Sequence, residues 1–424
     1  MRVLHTSDWH VGKSVRGRSR AVEHRAVLAE IAGVAEREDV DLTLVAGDLF
    51  DTASPTPEAE RIVYRALLDL AAGGRPVVVL AGNHDSAARL AAVAPLSEAS
   101  GITVASAIRP PDDGGVVEIA AGGDVARLAL LPFPSQRYVV TADVLLAGDA
   151  ADAHAAYADR VLSILRVLTA GFGAGTVNLV AAHLMVMGGT MGGGERGAHT
   201  VFDYWVPATA FPATAQYVAL GHLHRAQHLP GPAPLHYCGS PLQLDFGETA
   251  NEPAVNVVDV RPGKPAVVRS VPLAAGSRLR TLRGSLVDVL AAAADLPAPR
   301  PEAGGDAAGG RAGASDDAND APWPEHLRVV LDEAPRAGLA DEVRERIPAA
   351  VEVVLAPREA GDGGPPTAPD RLRRTPRDLF AEYLTEHDVA DDRLVPLFDE
   401  LVEQVTTDPA DEPEAAGAAG PRSS

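Results

Sequence analysis

The chain has 424 residues, of which 46% are hydrophobic, so it is long enough for two or three domains with a sizeable buried interior. Its single cysteine, Cys238, excludes an internal framework of disulfides, and the opening MRVLHTSDWH contains no apolar run of the kind found in signal peptides and membrane spans. We therefore expect a cytoplasmic protein.

The formal net charge of -21 argues against nucleic-acid binding, because phosphate binding usually shows as a basic footprint. The charge is unevenly distributed. Residues 381–424 hold twelve Asp and Glu against Arg393 and Arg422, which is about half of the acidic excess. The part of the chain before residue 381 is therefore less repulsive to phosphate than the total net charge suggests.

Short apolar runs alternate with helical patterns from the start of the chain to about residue 272. In chain order, strands are predicted in VLHTSD, LTLVAGD and PVVVLAGNHD, with helices near 20–38 and 57–72 between them. The second helix has a clear start signal, because Thr56 precedes Pro57 at its first turn. Further strands are predicted in RLALLPF, TVNLVAAH, QYVALGH, PLHYCGS and AVNVVDV. Strands that are apolar throughout and separated by helices indicate a layered α/β domain.

A second, smaller α/β unit is predicted from the runs LRTLRG, LRVVLDE and AVEVVLAP and the helical patterns between them. It contains an insert rich in Ala, Gly, Pro and Asp, for which we predict disorder because it has few large apolar side chains to bury. The predicted organisation is a first domain over 1–272, a small α/β capping domain over 273–358 with a disordered insert at 297–325, a linker over 359–372, a helical segment over 373–408 and an acidic disordered tail over 409–424.

Side chains that can bind metal ions follow five of the apolar runs. They are Asp8, His10, Asp48, Asn83, His183, His222 and His224. Strand ends meet at one edge of an α/β sheet, so we expect these side chains to converge. Imidazole and carboxylate together favour Mn, Fe or Zn over Ca or Mg. One such histidine alone is more often structural, but the joint pattern of D-x-H, GDLFD, GNHD and GHLH predicts a site for two divalent ions.

The same motifs resemble those of the calcineurin-like metallophosphoesterases, through Asp8-Trp9-His10, Gly47-Asp48-Leu49-Phe50-Asp51, Gly82-Asn83-His84-Asp85, His183 and Gly221-His222-Leu223-His224. Within that superfamily, HTSDWHVGK, AGDLFDTASP and GSPLQLDFGE are similar to the nuclease-subunit family of bacterial SbcC–SbcD complexes. The resemblance extends over nearly the whole chain apart from the insert, the linker and the tail. It implies a layered metallophosphoesterase sandwich with a small α/β cap and C-terminal helices.

The resemblance also implies a role for each matching residue. One ion would be held by Asp8, His10 and His224, the other by Asn83, His183 and His222, with Asp48 bridging them. His84 would lie near the scissile phosphate as an acid or transition-state stabiliser, with Asp85 fixing its ring. We expect Mn²⁺, with Mg²⁺ as the alternative.

Weaker signals surround these motifs. Asp51 stands where archaeal and eukaryotic relatives have a second histidine, so we expect it to hold its loop or support a ligand and not to donate a proton. A basic cluster follows the first ligands and either contacts DNA or is a solvated loop and helix face; its residues are Lys13, Arg16, Arg18, Arg20 and Arg25. Arg16 is our first choice for a DNA contact, with Lys13 and Arg18 next. The sequence Gly12-Lys13-Ser14 imitates the end of a P-loop without its first glycine, so we expect this chain to bind no nucleotide.

The function implied by the resemblance is that of a two-metal DNA nuclease subunit in repair, replication and recombination. It would be a 3'-5' exonuclease on double-stranded DNA and an endonuclease on hairpin or single-stranded DNA, forming a homodimer within a heterotetramer with an SbcC-type ATPase. The alternatives are a small-molecule phosphodiesterase, which would not need the cap or the C-terminal helices, and a largely non-catalytic docking subunit, which would have lost ligands.

The C-terminal helical pattern is the predicted site for the ATPase partner. Thr375 and Pro376 give a helix start. Apolar residues at helical spacing then form two faces, the first with Leu379, Phe380, Tyr383 and Leu384 and the second with Leu394, Leu397, Phe398, Leu401 and Val405. Two short helices cannot bury such faces by themselves, so they dock on their own domain or on a partner.

Overall fold

The computed structural model describes residues 1–135, 157–195, 205–294 and 325–356, together with Phe380, Leu384, Leu394, Val395, Leu397 and Phe398. It contains two compact units, Met1–Ala356 and Pro357–Ser424. The insert and most of the C-terminal segment lie outside the described residues, so the predictions of disorder, linker and tail stay predictions. Among the helices that the structure describes, none combines the length and the apolarity needed to cross a membrane.

The first half of the larger unit begins with strands and helices in alternation. Its elements are β1 (Arg2–Thr6), β2 (Ser14–Val15), β3 (Arg18–Ser19), α1 (Ala21–Arg37), β4 (Leu42–Val45), α2 (Pro57–Leu70), β5 (Val77–Leu80), α3 (Ala87–Glu98), β6 (Ile102–Ala105), β7 (Val116–Ala121) and β8 (Asp124–Leu131). The remaining elements are α4 (Tyr157–Thr169), β9 (Val177–His183), β10 (Met185–Val186), β11 (Trp205–Val206), β12 (Tyr217–Gly221), β13 (Gln227–Leu229), β14 (Leu235–Tyr237), β15 (Ala254–Arg261), β16 (Lys264–Pro272), β17 (Arg278–Gly284), α5 (Leu286–Ala294), β18 (Glu325–Leu331), α6 (Leu339–Arg346) and β19 (Ala350–Leu355).

Two six-stranded mixed sheets form the centre of the first domain. One has the order β16-β15-β1-β4-β5-β6 and the other β13-β14-β12-β9-β8-β7. Strands β1, β4, β5 and β6 run parallel in the first sheet, as do β8, β9, β12 and β14 in the second. The carboxyl ends of parallel neighbours lie at the same edge, which brings the predicted site residues of each sheet together.

The sheets stack face to face with helices outside them, so the domain has four layers. Val3, Leu44 and Val78 contribute to the core between the sheets, whereas Leu4 and Val45 pack into the core beneath α1 and α2. Successive residues of a strand point to opposite faces, so these strands are apolar throughout because both faces are buried. The outer face of the second sheet packs against α4 through Val161, Ile164, Leu165 and Leu168. The predicted α/β sandwich is confirmed.

The helix starts follow the predicted capping chemistry. The Thr56 side chain accepts a hydrogen bond from Ala59 N at 3.2 Å, and Pro57 occupies the first turn of α2. In α3, which the sequence pattern did not single out, Ser86 caps the helix by accepting from Arg89 N. Leu90 is the only buried residue of α3, so this helix has no buried apolar stripe that a sequence pattern could reveal.

The small three-stranded sheet β17-β18-β19, with α5 and α6, has its own core around Leu327, Val329 and Leu331. We call these elements the cap, after the domain predicted there; its capping role stays a prediction. A buried ion pair connects it to the first domain. The carboxylate of Glu23 on α1 contacts Arg20 at 2.7 Å, His326 Nε2 of the cap at 2.8 Å and the backbone N of Ser277 at 2.9 Å. The Arg20 side chain is fully buried, so the pair depends on complete hydrogen bonding.

We expect Glu23→Gln to lower the free energy of unfolding by about 3–5 kcal/mol at pH 7, because it leaves the charge of buried Arg20 without its partner. Burial alone would raise the pKa of Glu23, but the hydrogen bond with His326 and the charge of Arg20 hold that pKa well below its ordinary value of 4.5. The contribution of this carboxylate is therefore complete above pH 4.5 and is lost as the pH falls below it.

Urea unfolding followed by circular dichroism tests this prediction between pH 7 and pH 3. The difference between the native chain and the variant should shrink below pH 4.5, and a difference that stays constant with pH would contradict it. Glu58→Gln is the matched control, because Glu58 pairs with Arg25 at the surface, where the two side chains are 53% and 51% exposed. An exposed pair contributes little, so this variant should unfold like the native chain.

Candidate active site

The predicted ligands lie at the adjoining carboxyl edges of the two sheets. In the first sheet, Asp8 and His10 follow β1, Asp48 follows β4 and Asn83 follows β5, and these three strands are neighbours. In the second sheet, His183 is the last residue of β9, and it pairs with Gly221 at the end of β12, next to His222. The structure therefore brings all seven predicted residues into one buried region.

The backbone at this edge is strained. Four of the six non-glycine residues with positive φ in the described part of the chain are site residues, namely Asp8 (54°), His10 (46°), Asp48 (53°) and His222 (98°). Each such conformation costs on the order of 1–3 kcal/mol and persists only when the surroundings enforce it. Here the hydrogen bonds from Asp8 N to Gly47 O and from His10 N to Asp48 O, both 3.0 Å long, hold the turns after β1 and β4 together.

The side chains form two groups, and the carboxylate of Asp48 faces both. In the first, ligand atoms of Asp8, His10 and His224 lie within 4.8 Å of one another, and in the second, those of Asp48, His183 and His222 do so. One oxygen, Oδ2 of Asp48, lies 3.4 Å from His10 Nε2 and 3.5 Å from His183 Nε2. The Asp48 carboxylate therefore faces both groups.

Asn83 completes the second group. Its Oδ1 lies 2.6 Å from His222 Nδ1 and 3.0 Å from His183 Nε2, and these two ring nitrogens are 3.2 Å apart. In the first group the Nε2 atoms of His10 and His224 face each other at 3.1 Å. Nitrogens and oxygens that converge in this way, with two carboxylates among them, are a donor set for divalent cations.

The burial of these groups shifts their pKa values strongly. Burial raises the pKa of Asp8 to about 6 despite the nearby His183 and His224, and it lowers the pKa of His10 to about 3. Burial would also raise the pKa of Asp48, but His183 and His84 hold it well below the usual range. A buried carboxylate that stays ionised needs positive charge close by, and a pair of cations would supply it.

Two of the histidine rings are fixed by hydrogen bonds on the side that faces away from the site. His183 Nδ1 lies 2.7 Å from the carbonyl oxygen of Ala46, and His224 Nδ1 lies 2.7 Å from Glu248 Oε1. A partner of this kind fixes the ring and its tautomer, so that Nε2 points to the site. The sequence prediction did not include Glu248 as a site residue, although Glu248 is the last residue of the run GSPLQLDFGE that carried the resemblance.

The hydrogen bonds of Asp85 involve backbone amides. We expected this carboxylate to fix the ring of His84, and that role stays a prediction; Nδ1 of His84 lies 2.7 Å from the backbone carbonyl oxygen of Asp51. The Asp85 carboxylate accepts hydrogen bonds from Leu49 N, Phe50 N and Gly82 N, at 3.2, 3.0 and 2.9 Å. It ties the turn after β4 to the turn after β5.

His84 itself lies beside the predicted ligands. Its backbone N donates to Asp48 Oδ1 at 2.8 Å, and its ring meets that of His10 edge to face with centroids 4.5 Å apart. A ligand atom of His84 also lies within 4.8 Å of those of His10 and Asp48. The ring is therefore close enough to serve either an ion or a bound phosphate.

All five residues of the predicted basic cluster pair with other groups of the protein, Arg20 with the buried Glu23 and Arg25 with Glu58. The three that were expected to contact DNA are Lys13, Arg16 and Arg18. Lys13 Nζ lies 3.2 Å from Asp51 Oδ1, which is itself 3.7 Å from His10 Nδ1. Arg16 pairs with Glu352 of the cap at 3.0 Å and with Asp245 at 3.6 Å. Arg18 donates to the carbonyl oxygen of Pro348 in the cap at 3.1 Å. Arg16 and Arg18 thus contact the cap, and the DNA-binding role of all three stays a prediction.

We expect Asp85→Ala to lower the free energy of unfolding by at least about 1–3 kcal/mol, because three buried N–H groups lose their acceptor. Asp69→Ala, which removes an exposed partner of Arg65 on α2, is the control and should change the unfolding little. Chemical unfolding of both variants measures the difference. Equal stability of the two variants would show that Asp85 does not hold the turns.

Comparison with known proteins identifies the family of this chain. A family model described as Calcineurin-like phosphoesterase matches residues 1–163. The SbcD subunit of nuclease SbcCD from Bacillus subtilis (strain 168) is 36% identical over 286 residues, which cover 66% of this chain and 71% of that protein.

The SbcD subunits of two other bacteria match this chain to a similar extent. The one from Rhodobacter capsulatus is 38% identical, over 64% of this chain and 69% of the relative. The one from Escherichia coli (strain K12) is 34% identical, over 69% of this chain and 73% of the relative. These matches confirm the resemblance that was based on the motifs. The chain belongs to the SbcD family of nuclease subunits, within the calcineurin-like phosphoesterases.

Proposed function

We propose that this chain is a metal-dependent DNA nuclease subunit that acts with an SbcC-type ATPase. The observation that carries the proposal is the position of Asp48 Oδ2, within 3.5 Å of histidine nitrogens from both ligand groups. Two ions that share a carboxylate can lie about 3.5–4 Å apart, the arrangement used in phosphodiester hydrolysis.

The proposed ligand sets follow the two groups. Asp8, His10 and His224 would hold one divalent ion, and Asn83, His183 and His222 the other, with Asp48 serving both. Bound ions would activate a water molecule and stabilise the attacking and leaving oxygens of the phosphodiester. Mn²⁺ suits the mixture of imidazole and carboxylate better than Mg²⁺, which prefers oxygen ligands.

His84 is the proposed proton donor. Its Nδ1 donates to the backbone carbonyl oxygen of Asp51, so a neutral ring has no proton on Nε2. To act as the acid, the ring would be protonated on both nitrogens and would give the Nε2 proton to the leaving oxygen of the phosphodiester. The hydrogen bond from His84 N to Asp48 fixes the ring next to the shared carboxylate. Asp51 supplies the carbonyl oxygen and so supports the orientation of the ring.

The proposed substrate is DNA, cut as a 3'-5' exonuclease on duplex ends and as an endonuclease on hairpins or single strands. The names of the relatives and the presence of the cap support a polymer substrate over a small phosphodiester. Roles in DNA repair, recombination and replication, a cytoplasmic location and a dimer within a heterotetramer belong to the same proposal.

We expect His84→Ala to reduce DNA cleavage by about 10²–10⁴-fold, since an acid catalyst contributes on that order. Because His84 is assigned to the phosphate, the variant should keep two ions per chain. The assay compares hairpin and blunt duplex DNA with a small phosphodiester, in Mn²⁺, Mg²⁺ or chelator, and elemental analysis counts the ions. His228→Ala, at an exposed position of β13, is the control and should leave both unchanged.

Each part of the proposal has an outcome that contradicts it. Loss of an ion from the His84 variant would make His84 a ligand and would end its role as acid. Cleavage that persists in chelator would contradict the dependence on metal. Equal or faster hydrolysis of the small phosphodiester would favour a small-molecule phosphodiesterase.

The ATPase-binding segment is proposed from the C-terminal helical pattern. Of its predicted contact residues, Phe380, Leu384, Leu394 and Phe398 are described and helical, whereas Leu379, Tyr383 and Leu401 lie outside the described residues. The rings of Phe380 and Phe398 stack with centroids 4.2 Å apart. Leu397 is 47% exposed, so an apolar side chain is available on this unit for a partner.

We expect a chain that ends at Asp370 to keep metal-dependent cleavage of single-stranded DNA but to lose binding of the SbcC-type ATPase and ATP-stimulated cutting of duplex ends. In the full chain, Leu397→Asp should weaken the same binding. Leu68→Asp is the matched control, because Leu68 is 49% exposed on α2. Pull-down of the ATPase with unchanged affinity by the shortened chain would rule out this segment as the docking site.

A further inference from the structure

A buried carboxylate lies directly behind one of the proposed ligands. Glu248 ends a short turn, Phe246–Glu248, and its side chain is fully buried. Its Oε1 is 2.7 Å from His224 Nδ1, and its Oε2 accepts from Leu244 N at 2.7 Å. Both oxygens are thus engaged, one of them by the imidazole.

A neighbouring loop packs tightly against this carboxylate and against His224. A Cβ atom added to Gly194 would lie 2.0 Å from Glu248 Oε1, so the glycine-rich loop at residues 192–194 packs directly on the carboxylate. Glu195 of the same loop accepts from His224 N at 3.1 Å and from Gly192 N at 2.6 Å. The ring of His224 is therefore fixed both through its side chain and through its own backbone.

The other rings have different partners. Nδ1 of His183 faces the neutral carbonyl oxygen of Ala46 at 2.7 Å, and Nδ1 of His10 is 3.7 Å from the Asp51 carboxylate, beyond hydrogen-bond distance. A carboxylate that accepts Nδ1–H makes the imidazole a stronger ligand than a carbonyl oxygen does, because it stabilises positive charge on the ring. Among these three rings, that of His224 has a carboxylate within hydrogen-bond distance of its Nδ1.

We propose that Glu248 is a positioning residue for one of the two metal positions, the one formed by Asp8, His10 and His224. It accepts the Nδ1–H of His224 and so directs Nε2 of that ring to the ion. Its negative charge lies next to this metal position and not next to the other one. The inference rests on the proposed metal ligands. Its consequence is that one ion depends on Glu248 and the other does not.

Glu248→Gln tests this in the full chain. It keeps the shape of the side chain but removes its charge and one acceptor. Titration with Mn²⁺, with free Mn²⁺ followed by electron paramagnetic resonance, should show about 10–100-fold weaker binding of one ion and unchanged binding of the other. Cleavage should recover at saturating Mn²⁺, a rescue that a general packing defect would not give.

Glu23→Gln is the matched control. Glu23 is also a buried glutamate, and it lies 2.8 Å from an imidazole, that of His326, in the contact with the cap. The same substitution there should lower stability and leave both Mn²⁺ affinities unchanged. If Glu248→Gln does not fold, Glu248→Asp, which keeps the charge one methylene further back, should weaken the same single ion by a smaller factor.

A double-mutant comparison tests whether Glu248 affects Mn²⁺ affinity through His224. In a His224→Ala background, Glu248→Gln should cause no further loss of Mn²⁺ affinity, because the ring through which it acts is gone. An equal loss with and without His224, equal weakening of both ions, or two ions bound with native affinity by Glu248→Gln would overturn the inference. Failure of the native chain itself to bind two ions would instead overturn the proposed ligand assignment.

Discussion

The Asp48 carboxylate connects the parts of this structure on which the site depends. It lies where the carboxyl edges of the two sheets meet, and its Oδ2 faces a histidine from each ligand group. Its Oδ1 accepts from the backbone of His84 and so also positions the proposed acid. A buried ionised group is costly unless it is compensated. The histidines and the proposed cations provide that compensation, which explains why so many polar groups converge at one point.

Strained turns and buried acceptors place the ligands at this edge. Asp8, His10 and Asp48 adopt left-handed conformations that hydrogen bonds between the turns after β1 and β4 maintain. Asp85 adds three hydrogen bonds between the turns after β4 and β5. The stability of the sheets thus supports strained backbone where the ligands need it, and carboxylates that are not ligands help to hold it.

The segment that carries Glu248 also connects the site to the cap. Gln243 Oε1 accepts from Leu279 N of β17 at 2.7 Å, and Phe246 packs with Leu279 and Val15. Arg16, on the hairpin after the first ligands, reaches Glu352 of the cap. Two short stretches of chain therefore contact both the cap and residues adjoining the proposed metal positions.

The sequence by itself determined the buried strands, the long capped helices and the set of predicted ligands, because these depend on local periodicity and on residue types that follow strand ends. Elements with weaker local patterns, such as α3 and the edge strand β16, were not predicted. Only the tertiary structure revealed that Asp85 holds backbone amides, that Arg16 pairs with the cap and that Glu248 lies behind His224. These contacts join residues far apart in the chain, and no local pattern encodes which distant group a buried carboxylate will meet.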